Sequence, residues 1–264
     1  MTERFTLPDG IELAYESTGE GPLLVHAHGM LLGRAAEDAM DLYSWDPVRA
    51  LPGRRFVRYD ARGHGESTGR AENSDFTYPA VAQDLLDLID RLSPGAPVTG
   101  MGASLGAATV LTAAALAPER FDRLVLLIPP TAWATRPAQA DRYRADADLL
   151  DERGIEALAE AWAGAPVPSS LADAPGYPPR SPGVHPEVLS ALLRGAARSN
   201  LPAHEALAAL PQPTLILAWA DDPGHPVSTA EELAEVMPGA RLHISTDAAG
   251  VRTWGERIAA FLGG

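Results

Sequence analysis

Five consecutive residues, Gly102-Ala103-Ser104-Leu105-Gly106, constrain this chain more than any other segment. A short apolar run, Pro97-Val98-Thr99-Gly100-Met101, precedes them and a long Ala/Leu segment follows. That order reads as a strand, a sharp turn with an exposed Ser, then a helix. Gly102 and Gly106 give the backbone room for a tight turn. A Ser on such a turn is a candidate nucleophile, provided a base can take its proton.

Composition narrows the chemistry that this Ser could join. The chain has no Cys, which removes disulfides, thiolate nucleophiles and Cys-based metal sites together. All 21 basic residues are Arg, so Schiff-base chemistry and a Walker Gly-Lys-Ser/Thr are both excluded. Covalent catalysis is left to Ser, Thr, Asp, Glu, His or Tyr. The net charge of −14 would repel phosphate backbones, so no nucleic-acid partner is expected. No apolar run reaches the roughly 18 residues that span a bilayer. The N-terminus, Met1-Thr2-Glu3-Arg4-Phe5, lacks the basic and apolar regions of a signal peptide. The expectation is a cytoplasmic protein acting on a small molecule, with no membrane contact, no metal and no cofactor. Oligomeric state is not legible in the sequence.

The hydrophobic pattern alternates strand and helix over most of the 264 residues. Phe5 to Leu7 and Ile11 to Tyr15 flank a Pro8-Asp9-Gly10 turn and predict a hairpin. Leu23 to Ala27, Phe56 to Tyr59, the run before Ser104, Leu124 to Ile128, Thr214 to Trp219 and Arg241 to Ser245 predict further strands. Helical spacing covers 77–92, Ser104 to Ala117, Ser228 to Met237 and Thr253 to Leu262. Such alternation implies an α/β fold with a mostly parallel central sheet and helices on both faces. Residues 131–205 break the rhythm, with helices predicted around 138–163 and 186–199 and a Pro-rich piece from Ala165 to Pro186. The expected organisation is a core of residues 1–130 and 206–264, with 131–205 inserted as a helical cap over the sheet's carboxyl edge, where ligands bind.

Four landmarks in this order resemble the α/β-hydrolase fold, in particular its lid-bearing serine esterase and lactonase members. They are His28-Gly29 after the early strand, Tyr59-Asp60-Ala61-Arg62-Gly63-His64-Gly65-Glu66-Ser67, the turn at Ser104, and Ala220-Asp221-Asp222-Pro223-Gly224-His225-Pro226. The resemblance implies Ser104 as nucleophile on a nucleophile elbow and Asp222 as the triad acid, with Asp221 one register away. It also implies an oxyanion hole built from the backbone N–H groups of Leu105 and Met30. Each such donor is worth about 2.7–4 kcal/mol to a tetrahedral intermediate. A Ser at this position argues against the Asp-nucleophile chemistry of dehalogenases and epoxide hydrolases of the same fold. His28 and His64 are expected to serve their loops rather than the chemistry. Trp133, Trp162, Tyr177 and Trp219 could line an apolar pocket or simply pack in the core, and Arg136, Arg142 and Arg144 read as a solvated helix face.

One position departs from the pattern. The resemblance puts the triad His on the loop after the last strand, following a Gly, and here Gly250 is followed by Val251. Val cannot accept a proton, and His243 falls inside the preceding strand. Four accounts stay open. His225, on the loop that carries Asp222, could act as substitute base. The protein could catalyse a base-independent isomerisation, elimination or cyclisation. It could be a degenerate, non-hydrolytic binder of a small ligand. Or Val251 could replace a His that the active protein has.

Overall fold

The structure is a computed structural model that describes residues 1–263 apart from 166, 175, 180 and 181. Those four fall in the Pro-rich piece, which to that extent lies outside the described residues. Eight strands form one sheet: β1 (Glu3–Thr6), β2 (Glu12–Thr18), β3 (Leu23–Ala27), β4 (Arg55–Tyr59), β5 (Val98–Ala103), β6 (Phe121–Leu127), β7 (Thr214–Trp219) and β8 (Ala240–Ser245). Their order is β1-β2-β4-β3-β5-β6-β7-β8. β1 and β2 pair antiparallel, β2 joins β4 antiparallel, and every later neighbour is parallel. The sheet is therefore mostly parallel, and both of its faces need covering.

The helices are α1 (Arg34–Met40), α2 (Asp46–Arg49), α3 (Tyr78–Leu92), α4 (Leu105–Leu116), α5 (Arg136–Ala163), α6 (Leu189–Ala197), α7 (His204–Ala208), α8 (Val227–Val236), α9 (Ala248–Arg252) and α10 (Trp254–Gly263). Alternate strand residues feed two apolar clusters. Leu23, Val25 and Ala27 of β3 and Ile216 and Ala218 of β7 face one cluster with α3, α4 and α8. Leu24 of β3 and Leu215, Leu217 and Trp219 of β7 face the other, with Met40, Val48, Trp254, Ile258 and Leu262 from α1, α2 and α10. Period-two side-chain alternation on fully buried strands thus sorts one sequence run into two layers of core. None of the described helices is long and apolar enough to cross a membrane.

Three details differ from the sequence reading. Residues 34–49, to which the sequence pattern assigns no element, carry α1 and α2. The side chain of Glu37 explains why α1 docks on the sheet: its carboxylate accepts from His26 Nε2 at 2.9 Å and from Arg58 Nη2 at 3.3 Å, all three residues being buried. Burial pushes the Glu37 carboxyl up, but His26 and Arg58 outweigh it and hold it below its ordinary value. Second, α5 starts at Arg136 and is broken at Gly154, whose φ of 83° only glycine adopts without strain. Third, Arg136 is not on a solvated face. It is buried, and its guanidinium donates to the carbonyls of Ser199 (2.8 Å) and Ala196, at the carboxyl end of α6. Capping those carbonyls satisfies acceptors that a helix end leaves open. Arg142 and Arg144 are exposed, as read.

Candidate active site

The turn at Ser104 is built by its glycines. Ser104 has φ 54° and ψ −112°, a left-handed conformation rare for a side-chain-bearing residue. A Cβ on Gly102 would lie 2.1 Å from the Gly106 carbonyl oxygen, and one on Gly106 would lie 1.9 Å from that of Ala27. Both spacings are far inside van der Waals contact, so β3, β5 and α4 can meet only if both positions lack side chains. Ser104 N–H donates to Leu127 O at 3.0 Å, which ties the turn to β6. Leu105 is the first residue of α4, so its N–H has no acceptor within the helix and sits at the positive end of the helix dipole.

The loop after β7 carries the other half of the site. Its first N–H, from Ala220, donates to Ser245 O at 3.0 Å, and His225 N–H donates to Asp222 O at 3.1 Å to close a turn. Asp222 and His225, three residues apart, face one another: His225 Nδ1 lies 2.7 Å from Asp222 Oδ2. A carboxylate only accepts, so Nδ1 carries the hydrogen, and in the neutral ring Nε2 is the acceptor. Ser104 Oγ stands 2.7 Å from that Nε2, placed to donate its O–H. Two more donors hold the carboxylate, Trp219 Nε1–H to Oδ2 (2.8 Å) and Gly224 N–H to Oδ1 (2.8 Å). Burial pushes the Asp222 carboxyl up, but the hydrogen bond and charge of His225, with the Trp219 and Gly224 donors, prevail and hold it well below the usual carboxylate range.

Ser104, Asp222 and His225 are therefore brought into one chain of hydrogen bonds, while the two alternative positions stand apart from it. Asp221 is exposed, has φ 64°, and accepts from Ser169 Oγ instead. Val251 lies on α9 with no exposed surface, packed in the apolar cluster with Trp219 and Trp254. The segment read as a loop after the last strand is mostly helical, because Asp247 caps α9 by accepting from Gly250 N–H at 2.7 Å.

The loop after β3 runs beside the Ser: a Cβ built on Gly29 would be 3.7 Å from that of Ser104. Leu32 N–H donates to Gly29 O (3.0 Å), which fixes the Gly29–Met30 peptide that carries the Met30 N–H, and His64 Nε2 lies 2.6 Å from Met30 O on the next peptide. His64 Nδ1 faces Arg62 O at 2.8 Å, so a neutral ring donates to only one of its two carbonyl neighbours. Burial, aided by the nearby His28 ring, pushes the His64 imidazole down to about 4. His28 accepts from Ala61 N–H (2.9 Å) and faces Gly29 O (2.8 Å), and burial lowers it as well. The turn below is pinned by Asp60, which accepts from the N–H groups of Arg34 (2.8 Å) and Glu66 (3.0 Å).

The aromatic residues divide by location. Trp219 is buried at the end of β7, stacked 5.8 Å from Trp254 and 6.4 Å from Tyr43, with Tyr177 edge-on at 6.0 Å. Trp133 donates its indole N–H to Pro202 O and Trp162 donates to Asp146, both within the segment between β6 and β7. Sequence reasoning missed the Trp219–Asp222 contact. Its only sequence signal is a Trp as the last residue of a buried strand, three positions before an Asp.

A mostly parallel sheet with a strained Ser between β5 and α4, facing a His and an Asp across the sheet's carboxyl edge, defines the α/β-hydrolase class. Residues 22–249 match the α/β hydrolase fold family, and the chain belongs to it. It is 30% identical over 212 residues to RutD of a Caulobacter species, a protein named for carbamate hydrolysis, with 76% of each chain covered. It is also 37% identical over 102 residues to EphD of Mycobacterium tuberculosis, named as an oxidoreductase. That match covers 37% of this chain but only 16% of that protein's length. Among solved structures it resembles a hydrolase from Pseudomonas aeruginosa (TM-score 0.79, 25% identity, 100% and 98% of the two chains covered). It also resembles the enol-lactonase of Burkholderia xenovorans (TM-score 0.79, 23% identity, 99% and 100% covered). The second likeness is one of fold.

Proposed function

We propose that this chain is a serine hydrolase of small esters, lactones or related acyl compounds, with Ser104 as nucleophile, His225 as base and Asp222 as the acid that orients it. The observation that carries this reading is the pair of 2.7 Å contacts from Ser104 Oγ to His225 Nε2 and from His225 Nδ1 to Asp222 Oδ2. The reaction follows from that geometry. His225 Nε2 takes the Ser104 proton as Oγ attacks the carbonyl carbon, and the oxygen becomes an oxyanion facing the N–H groups of Leu105 and Met30. Asp222 stabilises the imidazolium that forms. His225 then returns the proton to the leaving oxygen as its bond to the acyl carbon breaks. Water, deprotonated by the same Nε2, releases the acid and restores Ser104. The segment 131–205 would act as the cap that shapes the acyl pocket. The carbamate and lactone chemistry named for its relatives would use the same steps.

Labelling with a fluorophosphonate and turnover of p-nitrophenyl esters test the assignment. Ser104→Ala should abolish both. His225→Ala should lower kcat/KM by at least the 10²–10⁴-fold typical of general acid–base groups. Unchanged turnover in His225→Ala would remove it as the base. No labelling and no turnover in the parent, with tight binding of a small ligand, would favour the non-hydrolytic reading.

A further inference from the structure

We propose that Trp219 is the positioning residue of this site: its indole N–H ties the Asp222 carboxylate, and through it His225, to the central sheet. The inference rests on the hydrolase reading above. Acid and base share one short loop here, so no separate strand fixes either. Of the donors on the Asp222 carboxylate, His225 Nδ1–H and Gly224 N–H belong to that loop and move with it. Trp219 Nε1–H is the donor that comes from a strand, at 2.8 Å from Oδ2. The indole itself is held by packing. It is 2% exposed, its plane lies 16° from that of Trp254 and 11° from that of Tyr43, and Trp254 is anchored in turn by donating to Ser245 Oγ at 2.9 Å. The Trp219 ring also stands edge-on to the His225 ring, 6.0 Å away at 84°. A hydrogen bond to a charged acceptor from a donor that cannot move fixes where that acceptor sits. The carboxylate oxygen that Trp219 holds is the one that orients the imidazole toward Ser104.

Trp219→Phe keeps an aromatic ring in the stack and deletes the N–H. It should lower kcat about 10–100-fold, the span expected for losing a hydrogen bond to a charged group, and change KM less than about threefold. In an Asp222→Ala background the same substitution should cost nothing further, because its effect runs through the carboxylate. A merely structural role would give additive losses and would overturn the proposal. A full rate in Trp219→Phe would overturn it as well. If that variant does not fold, the indole N–H of Trp219 can be followed by NMR in Asp222→Ala. Faster solvent exchange and a shifted resonance support the contact, and an unchanged resonance sinks it. Parent protein that fails to label with fluorophosphonate would sink the hydrolase reading and this inference together. Labelling that persists alongside an additive cycle sinks the inference alone.

Discussion

Val251 occupies the place where the family resemblance puts a His, and it is buried in apolar contacts. Val251→His would bury an imidazole with no partner in a filled cluster. It should destabilise the fold by about 2–5 kcal/mol, from desolvation and overpacking combined, and leave ester turnover no higher. Denaturant midpoints and a p-nitrophenyl ester assay check both parts. A stable variant with raised turnover would reinstate position 251. Acid stability turns on two buried imidazoles. His64 and His28 have folded-state values below the ordinary histidine range, His64 at about 4. Between about pH 6.5 and 4 the unfolded chain therefore binds more protons than the folded one, so stability should rise with pH across that window. His64→Gln should flatten the rise in a denaturation series over pH, and an unaltered slope would refute its origin in His64.

Among the elements, the elbow depends most sharply on single atoms. Gly102→Ala and Gly106→Ala each drive a methyl into a backbone carbonyl oxygen, at 2.1 Å and 1.9 Å, where no side chain can rotate aside. Either should cost at least about 2 kcal/mol and should reduce fluorophosphonate labelling. A variant with wild-type melting and labelling would show that β5 and α4 can part. Elements of this kind were legible in the sequence because glycines, a periodic apolar run and a lone Ser between them have few other readings. Strand β7 was legible for the same reason, whereas the sequence left Asp222 and Asp221 one register apart, and the contact to His225 that separates them exists only in the fold. By contrast α1 was not legible, since buried Glu37 is held by His26 and Arg58, and polar contacts across 11 and 21 residues leave no periodicity; nor was α2, a four-residue helix too short to show one. Nor was α9 readable, because a five-residue helix hangs on one Asp247 cap. His225 was visible as a candidate base, but its reach to Ser104 spans 121 residues of chain and follows only from the folded sheet.

Across the whole molecule, the charge of −14 sets a field that every approaching substrate meets. Anionic esters should be turned over less efficiently than neutral ones at low ionic strength, and added salt should narrow the gap by screening over about 10 Å at 0.1 M. Equal salt responses for a matched neutral and anionic pair would show that local arginines outweigh the global field. The segment between β6 and β7 also touches the loop after β7: Ser170 Oγ donates to Ala220 O at 2.7 Å, and Thr131 N–H to Gly224 O at 3.3 Å. A shift in that segment would, under the proposed roles, reach the loop that carries Asp222 and His225. Under the proposed roles, one short stretch from Asp222 to His225 holds both partners of the serine, and the final strand–helix unit is released from chemistry. Acid and base would then be inherited together in four adjacent codons, while drift in the carboxyl-terminal unit would still reach them through Ser245 and Trp254, which hold Trp219 in place.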